Sequence, residues 1–236
     1  ASMNPDLFWG AVNSGFGYQY MQNMLNLNNG KIANNQLPNF SNISRLAGVA
    51  TTDWSWSPLF VDLDNDGWKD IFITNGTRRE INNKDYFNAL KKQRLTKDSL
   101  LSKTLAIPSE KIDNVVLKND KDLTFSKAND KWGINYPGFS NGSTYADLDN
   151  DGDLEIITNN IDDYASVFEN TSSDKNNYLT LRFNGPSKNK FGLGVRAIIS
   201  VNEISQLQEM TLTRGFQSSV APQLHFGIGK AEKVDT

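Results

Sequence analysis

The chain has 236 residues, 24 basic and 27 acidic side chains and a formal net charge of −3, with 38% hydrophobic residues. That length can bury a real core in one large or two modest domains, and the acidic balance excludes the basic footprint of a nucleic-acid binder. With no cysteine there is no disulfide, thiolate nucleophile or thiolate metal site, and no apolar run reaches the roughly 20 residues that span a bilayer.

The N-terminal stretch ASMNPDLFWG has no Met at position 1 and no basic-then-apolar signal segment, so a fragment or processed form of a longer chain is expected. Asn23–Gly30 reads as the first short strand. Ser57–Val61 and Ile71–Thr74 read as two more, separated by the acidic run DLDNDG at Asp62–Gly67. The same six letters return at Asp147–Gly152, followed by Ile156–Thr158 and Ala165–Phe168. The similarity extends beyond them. A shift of 85 residues places Phe40 on Phe125, Gly48 on Gly133, Ser55 on Ser140, Ile71 on Ile156 and Asn75 on Asn160. A fixed offset of this kind marks a duplicated structural unit, with copies at about 22–76 and 114–170. Units of about 50 residues containing a few strands have the size of propeller blades.

Between the copies, at about 80–110, the texture is helical. Tyr86, Phe87, Leu90 and Leu95 recur at helical spacing, Asp98 is a candidate cap for a second helix carrying Leu101 and Leu105, and Pro108 ends it. A helical insertion between blades is therefore expected. After residue 175 the alternation through Tyr178–Phe183 and Val195–Val201 again predicts strands.

The two loops are the chemical centre of the sequence. In D-L-D-N-D-G-W-K-D, Asp62, Asp64 and Asp66 converge because Gly67 permits a sharp turn; Trp68 offers a backbone carbonyl and Asp70 closes the site. In D-L-D-N-D-G-D-L-E the corresponding residues are Asp147, Asp149, Asp151, Asp153 (by its carbonyl) and Glu155. Hard, numerous oxygen ligands on a flexible loop suit Ca²⁺ better than Mg²⁺. An EF-hand is excluded, because the twelfth position is Ile73 or Thr158 instead of a bidentate Glu, and the flanks are strand-like. Sites filled in this way leave little room to activate water, so two structural calcium ions are the expectation. A lone loop of Asp, Asn and Gly could be an ordinary turn; two in register argue for metal.

These residues carry a resemblance. Phe125-Ser126-Lys127, Gly133 and the run Ser140–Ile157 resemble the FG-GAP/VCBS repeat of calcium-containing β-propellers. Leu46–Ala50, Asp53–Trp56 and Asp62–Gly67 resemble the version found in bacterial proteins related to cartilage acidic protein. Asn177–Gly185, Gly192–Val201, Gly215–Ser218 and Leu224–Gly229 resemble the ASPIC/UnbV domain, which would lose its final strand at Thr236. The resemblance implies a mainly β chain. Residues 1–175 would be partial propeller blades with calcium loops, and 176–236 a β-sandwich-like domain. It also implies an exported protein of the bacterial surface, periplasm or exterior, often in Bacteroidetes, with no established reaction. A closed propeller needs at least about four blades, so further blades in a longer parent, or packing on another subunit, are implied.

Catalytic chemistry is hard to find in the sequence. His225 is the one histidine and reads as part of a strand motif; no G-x-S-x-G or phosphate loop is present. Trp54 and Trp56 occupy alternate positions and would share a face in a strand, giving either a sugar-stacking platform or packing between blades. The leading expectation is a non-catalytic, calcium-stabilised surface module that binds polysaccharide or a cell-surface protein. The alternatives are a component of a carbohydrate-active enzyme with catalytic residues partly outside this chain, and a purely architectural subunit of a surface assembly.

Overall fold

The computed structural model describes residues 5–31, 37–81, 83–93 and 96–236. Helix α1 (Pro5–Asn13) precedes an antiparallel pair, β1 (Asn26–Lys31) and β2 (Pro38–Asn42). Strands β3 (Ser55–Val61) and β4 (Asp70–Asn75) flank the first acidic loop, and helices α2 (Lys84–Lys91) and α3 (Lys97–Leu105) follow. Then β5 (Val115–Asn119) and β6 (Phe125–Lys127) complete a four-stranded antiparallel sheet in the order β3-β4-β5-β6. After the short α4 (Asn129–Trp132), β7 (Ser140–Ala146), β8 (Glu155–Asn160) and β9 (Ser166–Phe168) form a three-stranded sheet with the second acidic loop between its first two strands. The remaining strands, β10 (Asn177–Leu181), β11 (Arg196–Val201), β12 (Ile204–Glu209) and β13 (Leu224–Gly229), pair as β10-β13 and β11-β12. The molecule is mainly β and built from several small sheets, with no closed barrel among the described residues.

Local sequence explains the strand positions. All six residues of β4, Asp-Ile-Phe-Ile-Thr-Asn, are buried, as suits a central strand covered on both faces. In β3, Ser57, Leu59 and Val61 are buried while Pro58 and Phe60 are exposed, the period-2 signature of a half-buried strand. Pro58 is tolerated because β3 is an edge strand of its sheet and the ladder is irregular between Ser55 and Pro58. One apolar cluster unites the sheets: Leu59, Val61, Phe72 and Val116 from the first, Ile156 from the second, and Leu63 and Leu154 from the two acidic loops.

Two expectations about the insertion are corrected. The helices interrupt a single sheet, since β4 and β5 pair directly across them through Ile71↔Leu117, Phe72↔Val116 and Ile73↔Val115. The sequence repeat and the sheets are out of phase. Each copy gives its first strand pair to one sheet and its next strands to the following sheet, and self-similarity along the chain carries no record of which strands pair. The helix cap is Thr96 instead of Asp98: its side chain accepts from the Ser99 N–H while the Ser99 side chain returns a bond to the Thr96 backbone. Leu95 lies outside the described residues. Helix α2 buries none of its residues, so its basic side chains line a solvated face.

In the C-terminal region the two strand pairs share a core of Ile199, Val201, Met210, Leu224 and Phe226. Glutamine side chains bridge them, Gln206 donating to the Gly227 carbonyl at 2.8 Å and Gln208 to the His225 carbonyl at 2.5 Å.

Candidate metal centre

Both acidic loops make the same backbone turn. Asn65 and Gly67 have φ of 56° and 89°, and Asn150 and Gly152 have 65° and 92°. Asn and Gly are the residues that enter this left-handed region at least cost, so the N-D-G core is a conformational requirement.

The turn gathers the carboxylates. Ligand atoms of Asp62, Asp64 and Asp70 lie within 4.8 Å of one another, as do those of Asp147, Asp149 and Asp151. In the first loop Asp62 accepts from the backbone N–H groups of Asp66 (3.1 Å) and Gly67 (2.8 Å), and Asp70 from those of Leu63 (3.1 Å) and Asn119 (2.9 Å). Asp66 stands apart from that trio. It accepts from the Trp68 N–H at 3.0 Å and faces the ammonium groups of Lys118 (3.0 Å) and Lys121 (3.1 Å). Lys118 also pairs with Asp64.

The second loop has more unmet demand. Buried oxygens of Asp147 (Oδ1), Asp153 (Oδ1) and Glu155 (Oε1) have no hydrogen-bond partner, and neither does Oδ1 of Asp64 in the first loop. Asp153 is fully buried and Glu155 is 4% exposed. Their other oxygens accept from the Ser173 N–H (3.1 Å) and the Leu148 N–H (2.8 Å). Buried carboxylate oxygens facing neither donor nor cation cost several kcal/mol; a proton held between Glu155 and Asp153 would meet part of that demand, and a hard cation would meet the rest. The donor set therefore fits calcium. The sequence reading gave Asp153 only a backbone carbonyl; its buried side chain is a further oxygen donor at this loop.

The electrostatics agree. Burial pushes Asp62 up to about 8, against the pull of the Gly67 N–H and with the help of Asp66, Asp70 and Asp64. Burial likewise pushes Asp70 up to about 7, opposed by the Asn119 and Leu63 N–H groups. Glu155 is raised by burial, with Asp153 beside it. Lys118 moves the other way: burial lowers it, but hydrogen bonds to Asp64 and Asp66 outweigh that and hold it above the ordinary lysine range. Lys118 is thus an internal cation facing the first loop, a position with no sequence signal because it comes from β5, 54 residues from Asp64. Replacing Lys118 by Met is expected to tighten calcium at the first loop by about tenfold, about 1.4 kcal/mol, the scale of one charge-assisted hydrogen bond. Calorimetric titration of the variant would show this; an unchanged first-loop affinity would rule out competition.

The tryptophans do not form a shared platform. Trp54 precedes β3 and lines a cleft with Tyr20 and Asn23. Trp56 donates its indole N–H to the Gly76 carbonyl at 2.8 Å and packs on Phe216 with ring centroids 4.9 Å apart. The alternation that predicts a common face does not apply, because Trp54 lies before β3 and Trp56 within it.

His225 is held on both ring nitrogens. Nε2 lies 2.6 Å from Asn65 Oδ1, and Nδ1 lies 3.3 Å from Thr180 Oγ1. The Asn65 amide NH₂ donates to the Gly152 carbonyl at 3.1 Å, so its oxygen faces the ring and Nε2 carries the proton. Burial pulls this histidine down to about 4, opposed only by Asp147, and it is neutral at pH 7.

The described residues thus define a mainly β protein in which two acidic loops of one pattern lie against a C-terminal β module. That module contains an ASPIC/UnbV domain: the family model for ASPIC and UnbV matches residues 185–236. Strand β10 falls outside the match although it pairs with β13 inside it. No curated protein matches the chain. No helix among the described residues is long and apolar enough to cross a membrane.

Proposed function

We propose that this chain is a non-catalytic, calcium-stabilised binding module, exported to the bacterial surface, with FG-GAP/VCBS-type propeller blades carrying the ASPIC/UnbV domain. The observation that carries the reading is the set of buried, unpartnered carboxylate oxygens on Asp147, Asp153 and Glu155. Calcium would be held by Asp62, Asp64, Asp70 and the Trp68 carbonyl in one loop, with Asp66 joining once it leaves Lys118 and Lys121, and by Asp147, Asp149, Asp151, Asp153 and Glu155 in the other. When bound, the ion supplies charge neutralisation and fixes the turn. The four-stranded sheet, with its acidic loop between the first two strands, supports the blade reading. His225, neutral and engaged at both nitrogens, supports a structural role for that residue.

The partner would be a polysaccharide or a cell-surface protein. For a saccharide, a cleft of about 360 Å³ is lined by Trp132, Glu169, Asn170, Ser172 and Asn176 beside Asp64. It offers two aromatic side chains, Trp132 and Phe168, and several polar groups, the usual composition of a small-molecule site. An architectural role is favoured by a different observation. The N-terminal segment exposes Leu7 (73%), Phe16 (65%), Tyr18 (62%) and Met24 (68%), an apolar surface suited to packing on another unit. The direct test is titration of the purified, divalent-free chain with calcium, then a polysaccharide panel with calcium and with chelator. Two calcium ions per chain are expected, together with calcium-dependent retention by at least one polymer. A chain that binds no calcium would defeat the reading, and one that binds calcium but no polymer would shift it to a protein partner.

A further inference from the structure

We infer that the β10-β13 sheet of the C-terminal module is an internal receptor for the two acidic loops, so that calcium binding and docking of the module are one linked equilibrium. The inference rests on the calcium reading above and adds a partner surface to it.

The contacts are specific to the loops. Strand β13 lies so close to the first loop that a Cβ on Gly227 would be 2.1 Å from Asp62 Oδ2 and 2.6 Å from the Asn65 Cα. Only glycine fits there. The Gly229 N–H donates to the Asn65 carbonyl at 2.8 Å, and His225 contacts the Asn65 side chain. Just before β10, Asn176 donates to the Asp64 carbonyl at 2.6 Å. The second loop meets β10 directly, since a Cβ on Gly152 would lie 1.6 Å from the ring of Tyr178. Tyr178 in turn stacks on His225, with centroids 5.5 Å apart and 16° between planes.

The loops are also joined to each other. Asn65 donates to Gly152, and Asn170 donates to both the Leu63 carbonyl (2.7 Å) and the Leu154 carbonyl (3.1 Å). Asn65, at the fourth position of the first loop and outside the proposed ligand set, therefore touches the second loop and strand β13 at once. These contacts read loop backbone, the Asn65 side chain and, at Gly227, the Asp62 carboxylate. Their geometry persists only while the loops hold their turns, and clustered carboxylates without a cation push those turns apart. A ligand that fixes one face of an interface favours the docked state, and linkage requires the docked state to favour that ligand by the same factor.

The test combines calcium titration with hydrogen exchange on the full chain. In the wild type, chelation should speed amide exchange in residues 177–181 and 224–229 at least about fivefold, the lower range of measured couplings. Reciprocally, His225→Ala and Tyr178→Ala should each weaken calcium binding by about fivefold or more at unchanged stoichiometry. The wild-type exchange arm needs no variant, so poor folding of a variant does not remove the test. If calcium binds normally, exchange in β10 and β13 ignores it and folded variants keep wild-type affinity, the inference fails while the calcium reading stands. If the wild type binds no calcium, both fall together.

Discussion

Dialysed free of divalent ions, the protein should be less stable at pH 8.5 than at pH 6.5, and saturating calcium should abolish that difference. The sign follows from the loop carboxylates. Asp62 is raised to about 8 and Asp70 to about 7 from an ordinary 3.8, and burial raises Glu155 as well. Across that window the folded, ion-free state holds protons that the unfolded chain has already released. Stability must then fall as pH rises through the folded values. His225 works the other way, since its folded value of about 4 makes stability rise with pH, but that rise is essentially complete near its ordinary 6.5. Starting at pH 6.5 therefore sets the histidine aside, leaving the fall from the carboxylates opposed by Lys69, which burial pulls down. Calcium cancels the trend because its ligands must be deprotonated, so its affinity increases as protons leave, and the bound folded state then holds no more loop protons than the unfolded chain. At a free concentration of about 100 times Kd each site would add about 2.7 kcal/mol, about 5 kcal/mol for two. For a domain of this size that corresponds to about 10–20 °C in Tm. Scanning calorimetry at the two pH values, with and without calcium, reads all four states. A fall of equal size in both series would mean that the loops do not compete between protons and metal.

The parts legible in the sequence are those set by neighbours along the chain. Asp62–Asp70 and Asp147–Glu155 announce oxygen donors and a glycine turn within nine residues, and the strands on either side follow from apolar runs and turn residues. The ASPIC/UnbV segment was readable for the same reason, from short motifs such as Leu224–Gly229. What stayed hidden depends on partners distant in sequence. The pairing of β4 with β5 skips both helices. Trp56 meets Phe216, 160 positions later, and His225 meets Asn65 across the same separation. Local propensity cannot encode such pairings; they are fixed by packing when the sheets assemble. The paired tryptophans show the cost of extending period 2 past the end of a strand. Asp153 shows a different limit, since an acid at that position reads as any other turn residue until its burial is known.

Phe72→Ala is expected to be the most damaging single truncation in the repeat region, at about 3–5 kcal/mol. Phe72 is fully buried at the centre of β4, opposite Leu59 on one side and Val116 on the other. Its cluster includes Ile156 of the second sheet and Leu63 and Leu154, which sit within the two acidic loops. The cavity would therefore open where both sheets and both loops meet, and the rigid central strand leaves little scope for collapse. Calcium affinity should weaken along with stability, because Leu63 and Leu154 anchor the loops from beneath. Phe60→Ala is the matched control. Phe60 lies on the neighbouring strand but points outward, 41% exposed, with an edge-to-face contact to Phe125 at 6.5 Å. Its loss should cost no more than about 1.5 kcal/mol, an aromatic pair plus partial burial. Denaturant unfolding of both variants in saturating calcium decides the matter. Comparable losses would mean that the two sheets do not share one core, whereas a large gap together with weakened calcium binding in Phe72→Ala would show that a single apolar cluster supports both loops.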